Sequence, residues 1–364
     1  MLGDDLATVF AGIKEKRSLR NQKHPFLSLL GIGLLGALSG IDSFSGLGDF
    51  AQAHELNLEE LFYLPHGAPS HDTFQRLFDA IAPDEFLEKF HLFTRALATA
   101  VEGIIAIDGK TIRNSGNGEK ALHIVSAWCE ANELVLGQIK VKEKSNEIRA
   151  IPLLLELLDV AGRIITIDAM GCQRKISEKI VAAQGDYVLG LKENQPTLYR
   201  DVEAYFEKID QYCCWEELDK GHGRIEKRTC YVTDKIDWLV EEHRWPGLQT
   251  IAKVISKRIL QGKETTEVRY YISSLPANAE QIGKAARAHW GIENKLHWRL
   301  DVVFNEDKAC IRNDNAAENM DIMRKWALNI LNQHKGKGSV KSLQRKIMMS
   351  FNFMKDLLVK TFHA

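Results

Sequence analysis

The chain lacks a dominant charge: 48 Lys and Arg face 49 Asp and Glu, a formal net charge of -1. Bulk electrostatics therefore do not mark a polyanion partner, and any surface for nucleic acid must be local. The six cysteines (Cys129, Cys172, Cys213, Cys214, Cys230, Cys310) lack CxxC pairs and zinc-ligand spacing, which excludes a zinc ribbon and reads as reduced thiols. No signal peptide precedes them, so a cytoplasmic protein is expected. The longest apolar run, Phe26 to Phe44, is interrupted by Gly and Ser and argues against a membrane span. Internal repeats and low-complexity tracts are also missing, apart from one short echo.

What is present is enough chain for two domains: 364 residues, 45% of them hydrophobic, where a domain takes roughly 100–200. Residues 1–98 carry helical periodicity, as in Leu6, Val9, Phe10 and Ile13, and again in Phe74, Leu77, Phe78 and Ile81. They predict an all-helical N-terminal domain. Ser70, His71 and Asp72 after Gly67-Ala68-Pro69 read as a helix start fed by a turn, compatible with a helix-turn-helix.

From 99 to 364 the pattern is α/β. Strand-like runs at 104–107, 122–128 and 134–141 are linked by short polar turns and imply an antiparallel meander. A helix is expected at 147–160, a strand at 163–168, a helix at 173–183 and a strand at 187–191, giving a mixed sheet with helices packed on it. Residues 196–275 read as a β-rich insertion. Helices return after Ala279, and the last 45 residues hold nine Lys or Arg against two Asp.

The echo is Ile104-Ile105-Ala106-Ile107-Asp108 and Ile164-Ile165-Thr166-Ile167-Asp168. Continuous apolar runs mark strands buried on both faces. In the strand order above, these two can lie adjacent and parallel, with both aspartates leaving the sheet at one edge. Two carboxylates held close stay ionised only beside positive charge, which a pair of Mg²⁺ ions would provide while leaving positions for water and phosphate. Two-metal sites of this kind serve in-line phosphoryl displacement and need a third carboxylate. Spacing alone leaves open a sugar- or nucleotide-binding α/β enzyme, which also places acids at strand ends.

The third acid lies in His289-Trp290-Gly291-Ile292-Glu293-Asn294-Lys295-Leu296-His297-Trp298-Arg299-Leu300-Asp301. Together with Ile107-Asp108-Gly109-Lys110, Lys144-Ser145-Asn146-Glu147-Ile148, Ile167-Asp168-Ala169-Met170-Gly171-Cys172-Gln173, Leu191-Lys192-Glu193-Asn194-Gln195 and Gly221-His222-Gly223-Arg224-Ile225-Glu226, this stretch resembles the H-repeat-associated, ISAs-type insertion-sequence transposases. These belong to the DDE superfamily, whose catalytic core is RNase H-like. The resemblance covers nearly the whole chain. It implies a metal-binding catalytic triad of Asp108, Asp168 and Glu293, two Mg²⁺ ions for which Mn²⁺ substitutes, cleavage and strand transfer at DNA element ends, and a homodimer in the working complex. One departure stands out: relatives carry a Tyr-Arg-Glu-Lys signature, and here Ala286, His289 and Leu300 replace its Tyr, Arg and Lys.

The signature's DNA contacts are therefore not carried over, although His289, Lys295 and Arg299 are nearby substitutes. Trp290 and Trp298 are read either as core or as platforms for an unpaired base. Lys110 and Arg113 after Asp108, and His222 and Arg224 in a Gly-flanked turn, are candidate backbone contacts. So are the basic run Lys14 to Lys23 and Arg324, Lys325, Lys335 and Lys337. Glu147 competes for the third ligand position, against a role in the first turn of its helix. Two other readings remain: an inactive descendant that only binds DNA, and a different α/β nuclease or hydrolase using the acids in general acid–base roles.

Overall fold

The computed structural model describes residues 2–17, 22–97, 101, 103–116, 121–141, 146–209, 212–221, 223–336 and 338–363. Six helices come first: α1 (Leu2–Val9), α2 (Phe26–Leu38), α3 (Phe44–Ala53), α4 (Glu55–Glu59), α5 (His71–Ala80) and α6 (Pro83–Leu97). The apolar run seen in the sequence is α2, nearly all of it buried. Its glycines let neighbours close in: a Cβ on Gly31 would stand 2.4 Å from the Phe62 ring. No helix among the described residues is long and apolar enough to cross a membrane.

The sheet begins with β1 (Ile104–Thr111), β2 (His123–Cys129) and β3 (Leu134–Val141), the expected meander. After α7 (Glu147–Leu157) comes β4 (Ile164–Ile167), which pairs with β1 in parallel, Ile107 opposite Ile167. α8 (Arg174–Ala182) leads to β5 (Asp186–Leu191), parallel to β4. The matched apolar strands are thus central neighbours, as their two-sided hydrophobicity requires.

Residues 196–275 are more regular than the sequence implied. α9 (Pro196–Lys208) opens them, with Pro at its first turn and Leu198 and Val202 buried four apart, signals of a helix start and an inward stripe that the reading of this stretch as strand passed over. β6 (Cys213–Gly221), β7 (Arg224–Thr233), α10 (Asp237–His243), β8 (Thr250–Leu260) and β9 (Lys263–Ser273) follow. These four strands do not form a separate sheet. β9 pairs antiparallel with β5, so one nine-stranded sheet runs β3-β2-β1-β4-β5-β9-β8-β7-β6.

The chain then crosses to the other face of the sheet. α11 (Ala279–Gly291) continues as a π-helical turn (Ile292–His297) into α12 (Trp298–Val302), and α13 (Asp314–His334), α14 (Val340–Met349) and α15 (Phe351–Phe362) complete it. Alternation along the strands separates two interiors. Ile105, Ile107, Ile165 and Ile167 pack with α7, α8 and α9. Ala106 joins the helical core on the opposite face, where α13 sits among α1, α2, α5 and α6. The N-terminal helices therefore share one core with the C-terminal ones. Cys172, Cys213, Cys214, Cys230 and Cys310 are free thiols.

Trp326 of α13 is the hub of that core. It is fully buried, with ring centroids 5.0 Å from Phe10, 5.4 Å from Phe86, 5.8 Å from Phe90 and 5.5 Å from Phe93. Its indole nitrogen has no hydrogen-bond partner, so its contribution is packing alone. Trp326→Ala should lower the unfolding free energy by about 3–5 kcal/mol, and Trp326→Phe by much less. Urea titration followed by circular dichroism measures both, and equal losses would contradict a role limited to packing.

Candidate active site

Asp108 lies within β1, and Asp168 directly follows β4, one residue beyond the Ile107–Ile167 pair. Alternation carries both toward the face that Ile104, Ala106 and Ile164 share, and that α11 covers. Glu293 is the second residue of the π-helical turn that continues α11. Such turns widen a helix by one residue and recur at functional sites. The sheet edge and this helix thus bring the three acids predicted from the sequence into one electrostatic neighbourhood.

The pKa shifts express that proximity. Burial first, and then the Asp168 charge, push the Asp108 carboxyl up to about 7, with Glu293 and Glu147 adding to the rise. Glu293, at the exposed mouth of the cleft, is also raised, by burial against the opposing pull of Arg269 and with a push from Asp168. The nearest basic group to Asp108 is His297, whose Nδ1 is 3.7 Å from Asp108 Oδ2. Burial, with Lys110 and Lys325 nearby, drives that imidazole down to about 3 and leaves it uncharged. Hard oxygen donors with uncompensated charge fit a divalent cation in donor chemistry. The three acids do not form a group with all donor atoms within 4.8 Å; among the described residues the group that does is Asp201, Glu242 and His243, on α9 and α10. That group could also hold a metal.

Two buried side chains brace β1 from beneath. Glu147, in the first turn of α7, accepts from or shares a proton with His123 Nε2 at 2.5 Å, and His123 Nδ1 meets Thr111 Oγ1 at 2.7 Å. A Cβ on Gly109 would stand 2.6 Å from Glu147 and 2.9 Å from His123. Only glycine fits beside Asp108. Glu147 thus stands in the first turn of its helix, as an inward carboxylate paired with His123.

A cleft of about 490 Å³ opens from Asp168 and Glu293 toward Tyr199, Arg269, His289 and Trp290. Arg269 stacks over Trp290, its guanidinium carbon 4.3 Å from the ring centre. A second cleft of about 450 Å³ shares Arg269 and Trp290 and is walled by Arg224, Arg228, Arg258 and Arg287. Arg228 is buried and pairs with Glu217 at 3.1 Å and Glu226 at 2.7 Å. Burial, followed by the Arg228 charge, lowers the pKa of Arg287. Glu226 and Glu267 line the same cleft, Glu267 2.8 Å from Arg269, so arginines outnumber carboxylates along a mixed wall.

The remaining sequence candidates divide sharply. Arg113 is 82% exposed with its Nε 3.6 Å from Asp307, Trp298 is 54% exposed, and Arg224, 3.7 Å from Glu226, and Trp290 line the clefts. His289 stands beside Asp168, and burial outweighs that charge to lower its pKa. His222 lies outside the described residues, as do Arg20 and Lys337. Lys110, Lys295 and Arg299, expected as DNA contacts, are already paired: Lys110 with Asp301 and Glu306, Lys295 with Glu130, and Arg299 with Glu133 at 3.0 Å. The C-terminal basic run also turns inward. Arg324 and Lys325 are buried, with Lys325 on Asp321 and Gln138, and Lys335 pairs with Glu133. Each of these cations is thus held by a carboxylate within the fold. At the other end, Lys14, Lys16 and Lys23 are exposed, whereas Arg17 is held by Glu15 and the His24 carbonyl.

The sequence reading missed Arg228, Arg258, Arg269, Arg287 and His297. The signal for the first was available: Arg224, Glu226 and Arg228 recur at period two, the mark of one strand face.

Residues 99–330 match the family model described as Transposase DDE domain, and residues 7–94 the one described as DDE_Tnp_1-associated. The chain is 39% identical over 360 residues to the H repeat-associated putative transposase YhhI of Escherichia coli K12, and 38% identical over 360 residues to the putative protein YbfL of the same strain, covering 95% of each chain in both cases. An uncharacterized protein in the dhlA 3' region of Xanthobacter autotrophicus is 40% identical over 72% of this chain and 92% of its own. Among solved structures, a piggyBac transposase synaptic complex with hairpin DNA aligns over 99% of this chain and 78% of its own, at TM-score 0.47 and 11% identity.

Because Asp108 binds its proton more tightly folded (about 7) than a free carboxyl does, the folded state takes up protons that the unfolded chain releases between about pH 4 and 7. In metal-free buffer its contribution to stability is therefore lost as pH rises through that window. Asp108→Asn should melt higher than wild type at pH 8, and the difference should shrink toward pH 4. Parallel melting curves across pH would contradict the shift.

Proposed function

The chain belongs to the DDE transposases of the H-repeat-associated insertion-sequence group, and from that membership we propose that it cuts DNA at element ends and joins the freed ends to target DNA. The observation supporting this reading is the register of β1 on β4, which pairs Ile107 with Ile167 just before Asp108 and Asp168, together with the mutual charge effects among Asp108, Asp168 and Glu293. The strand order β3-β2-β1-β4-β5, antiparallel then parallel, is read as an RNase H-like core. β6 to β9 are read as its insertion, and residues 1–98 as a family-associated domain docked on residues 99–364.

Asp108, Asp168 and Glu293 are assigned as catalytic acids and as the residues that would hold Mg²⁺ or Mn²⁺. When bound, such cations supply Lewis-acid stabilisation of the attacking and leaving oxygens of a phosphodiester. The chain's own residues orient the strand. Arg269 stacked on Trp290 stands where the catalytic cleft meets the arginine wall, a suitable place to hold the DNA backbone leading to the cut. Arg113, Arg224 and the exposed lysines of the N-terminus extend that basic surface. No serine or tyrosine nucleophile is required, since water and then a 3′-hydroxyl attack directly. Two element ends must be joined together, which calls for two copies of the chain.

Two measurements test this. With DNA carrying the element ends and Mg²⁺, Asp108→Asn and Glu293→Gln should cut on the order of a thousandfold more slowly, the scale of losing transition-state electrostatics, while binding the ends as wild type does. Cleavage near the wild-type rate in either variant would remove the triad. Separately, Arg224→Ala, Arg258→Ala and Arg287→Ala combined should flatten log affinity against log salt by up to about 2.7, roughly 0.9 for each phosphate that is no longer neutralised. An unchanged slope would take the arginine wall out of the DNA path.

A further inference from the structure

His297 has no role in the mechanism above, yet it sits against it. It follows Glu293 by four residues in the same helical turn, so the two side chains share a face. Its Nδ1 is 3.7 Å from Asp108 Oδ2, too far for a hydrogen bond. Its Nε2 is enclosed without any partner, and the side chain is 13% exposed. The hydration lost by the enclosed Nε2 is not replaced, and Nδ1 is the nitrogen on the Asp108 side. Among the described residues, no hydrogen bond commits the ring proton to either nitrogen.

Two donor atoms that each sit about 2.0–2.2 Å from one cation lie roughly 3–4 Å apart at the angles of four- to six-coordinate sites. The Asp108–His297 separation falls in that interval. Lys110, whose charge would otherwise oppose a cation here, is already turned to Asp301 and Glu306. We propose that His297 adds an imidazole nitrogen to the divalent cation held by Asp108, Asp168 and Glu293, making the centre a mixed oxygen and nitrogen site. The proposal rests on the reading of those acids as metal ligands. A nitrogen donor favours later first-row cations over Mg²⁺, so the site should prefer Mn²⁺ or Co²⁺ when these compete.

The test needs no DNA and no turnover. Mn²⁺ is added to the metal-free full-length protein, free Mn²⁺ is counted by electron paramagnetic resonance, and pulsed spectra are searched for nitrogen coupling to the bound ion. Wild type should show the coupling. His297→Gln should lose it and bind Mn²⁺ about 10–100-fold more weakly, with a smaller change for Mg²⁺, whereas His289→Gln, altered beside Asp168, should keep it. His297→Asn sets its amide oxygen where Nδ1 stood, whereas the longer Gln sets its own where Nε2 stood; His297→Asn should therefore restore Mg²⁺ affinity without the nitrogen signal, which separates ligation from folding. Because Asp201, Glu242 and His243 could also hold a metal, each protein is measured in a His243→Gln background: bound Mn²⁺ without nitrogen coupling in that background, or coupling that survives when His297→Gln is added to it, overturns the proposal and leaves the triad standing. If Asp108→Asn binds Mn²⁺ as tightly as wild type, the triad reading itself falls, and this inference with it.

Discussion

The parallel pairing of β1 with β4 is the constraint on which the rest depends. A slip of one residue would turn Asp108 to the face of Ile105 and Ile107, into an apolar interior under α7 and α8. The register is held because both faces are buried: each strand must satisfy two cores at once, so no alternative pairing keeps all its isoleucines dry. α7 and the meander lie in the crossover that parallel strands require. Glu147 at the start of α7 then fills the space that Gly109 leaves open.

A second level of organisation is ionic. Lys110 reaches from β1 to Asp301 and the buried Glu306, and Lys325 reaches from α13 to Asp321, Gln138 and Ser126 beneath the sheet. Buried charges of this kind contribute little net stability against well-packed apolar residues, but losing one partner leaves the other stranded at a cost of about 3–5 kcal/mol. Their effect is to fix how the C-terminal helices dock on β1, and hence where the π-helical turn places Glu293 and His297. The placement of Glu293 therefore depends on cations paired within the fold.

Much of this is legible in the sequence. The repeated isoleucine runs specify two central strands and an aspartate at the end of each, because two-sided burial and period-two alternation are local properties of a chain. The meander, α7, α8 and β5 follow from the same periodicities. The fate of each cation is not legible, because Lys110, Arg299 and Lys325 find partners roughly 160 to 200 residues away in the chain. Nothing local distinguishes a lysine bound inward from one facing solvent. The continuity of β9 with β5 is hidden for the same reason: edge pairing between distant strands leaves no periodic trace. Arg228 and Arg269 are readable as alternating strand residues, but only the packing of α11 over them makes a wall.

The sharing of one core by the first and last helices has a consequence for biosynthesis. α2 leaves the ribosome early, with apolar residues on every side, yet Trp326 and the rest of α13 that enclose it emerge roughly 300 residues later. At about 5–20 residues per second, that apolar helix waits on the order of 15–60 s for its covering. A nascent or prematurely terminated chain thus displays a sticky surface that only chaperones or aggregation can occupy. Translation that stops before α13 yields a polypeptide headed for degradation, even though Asp108, Asp168 and Glu293 have all been made.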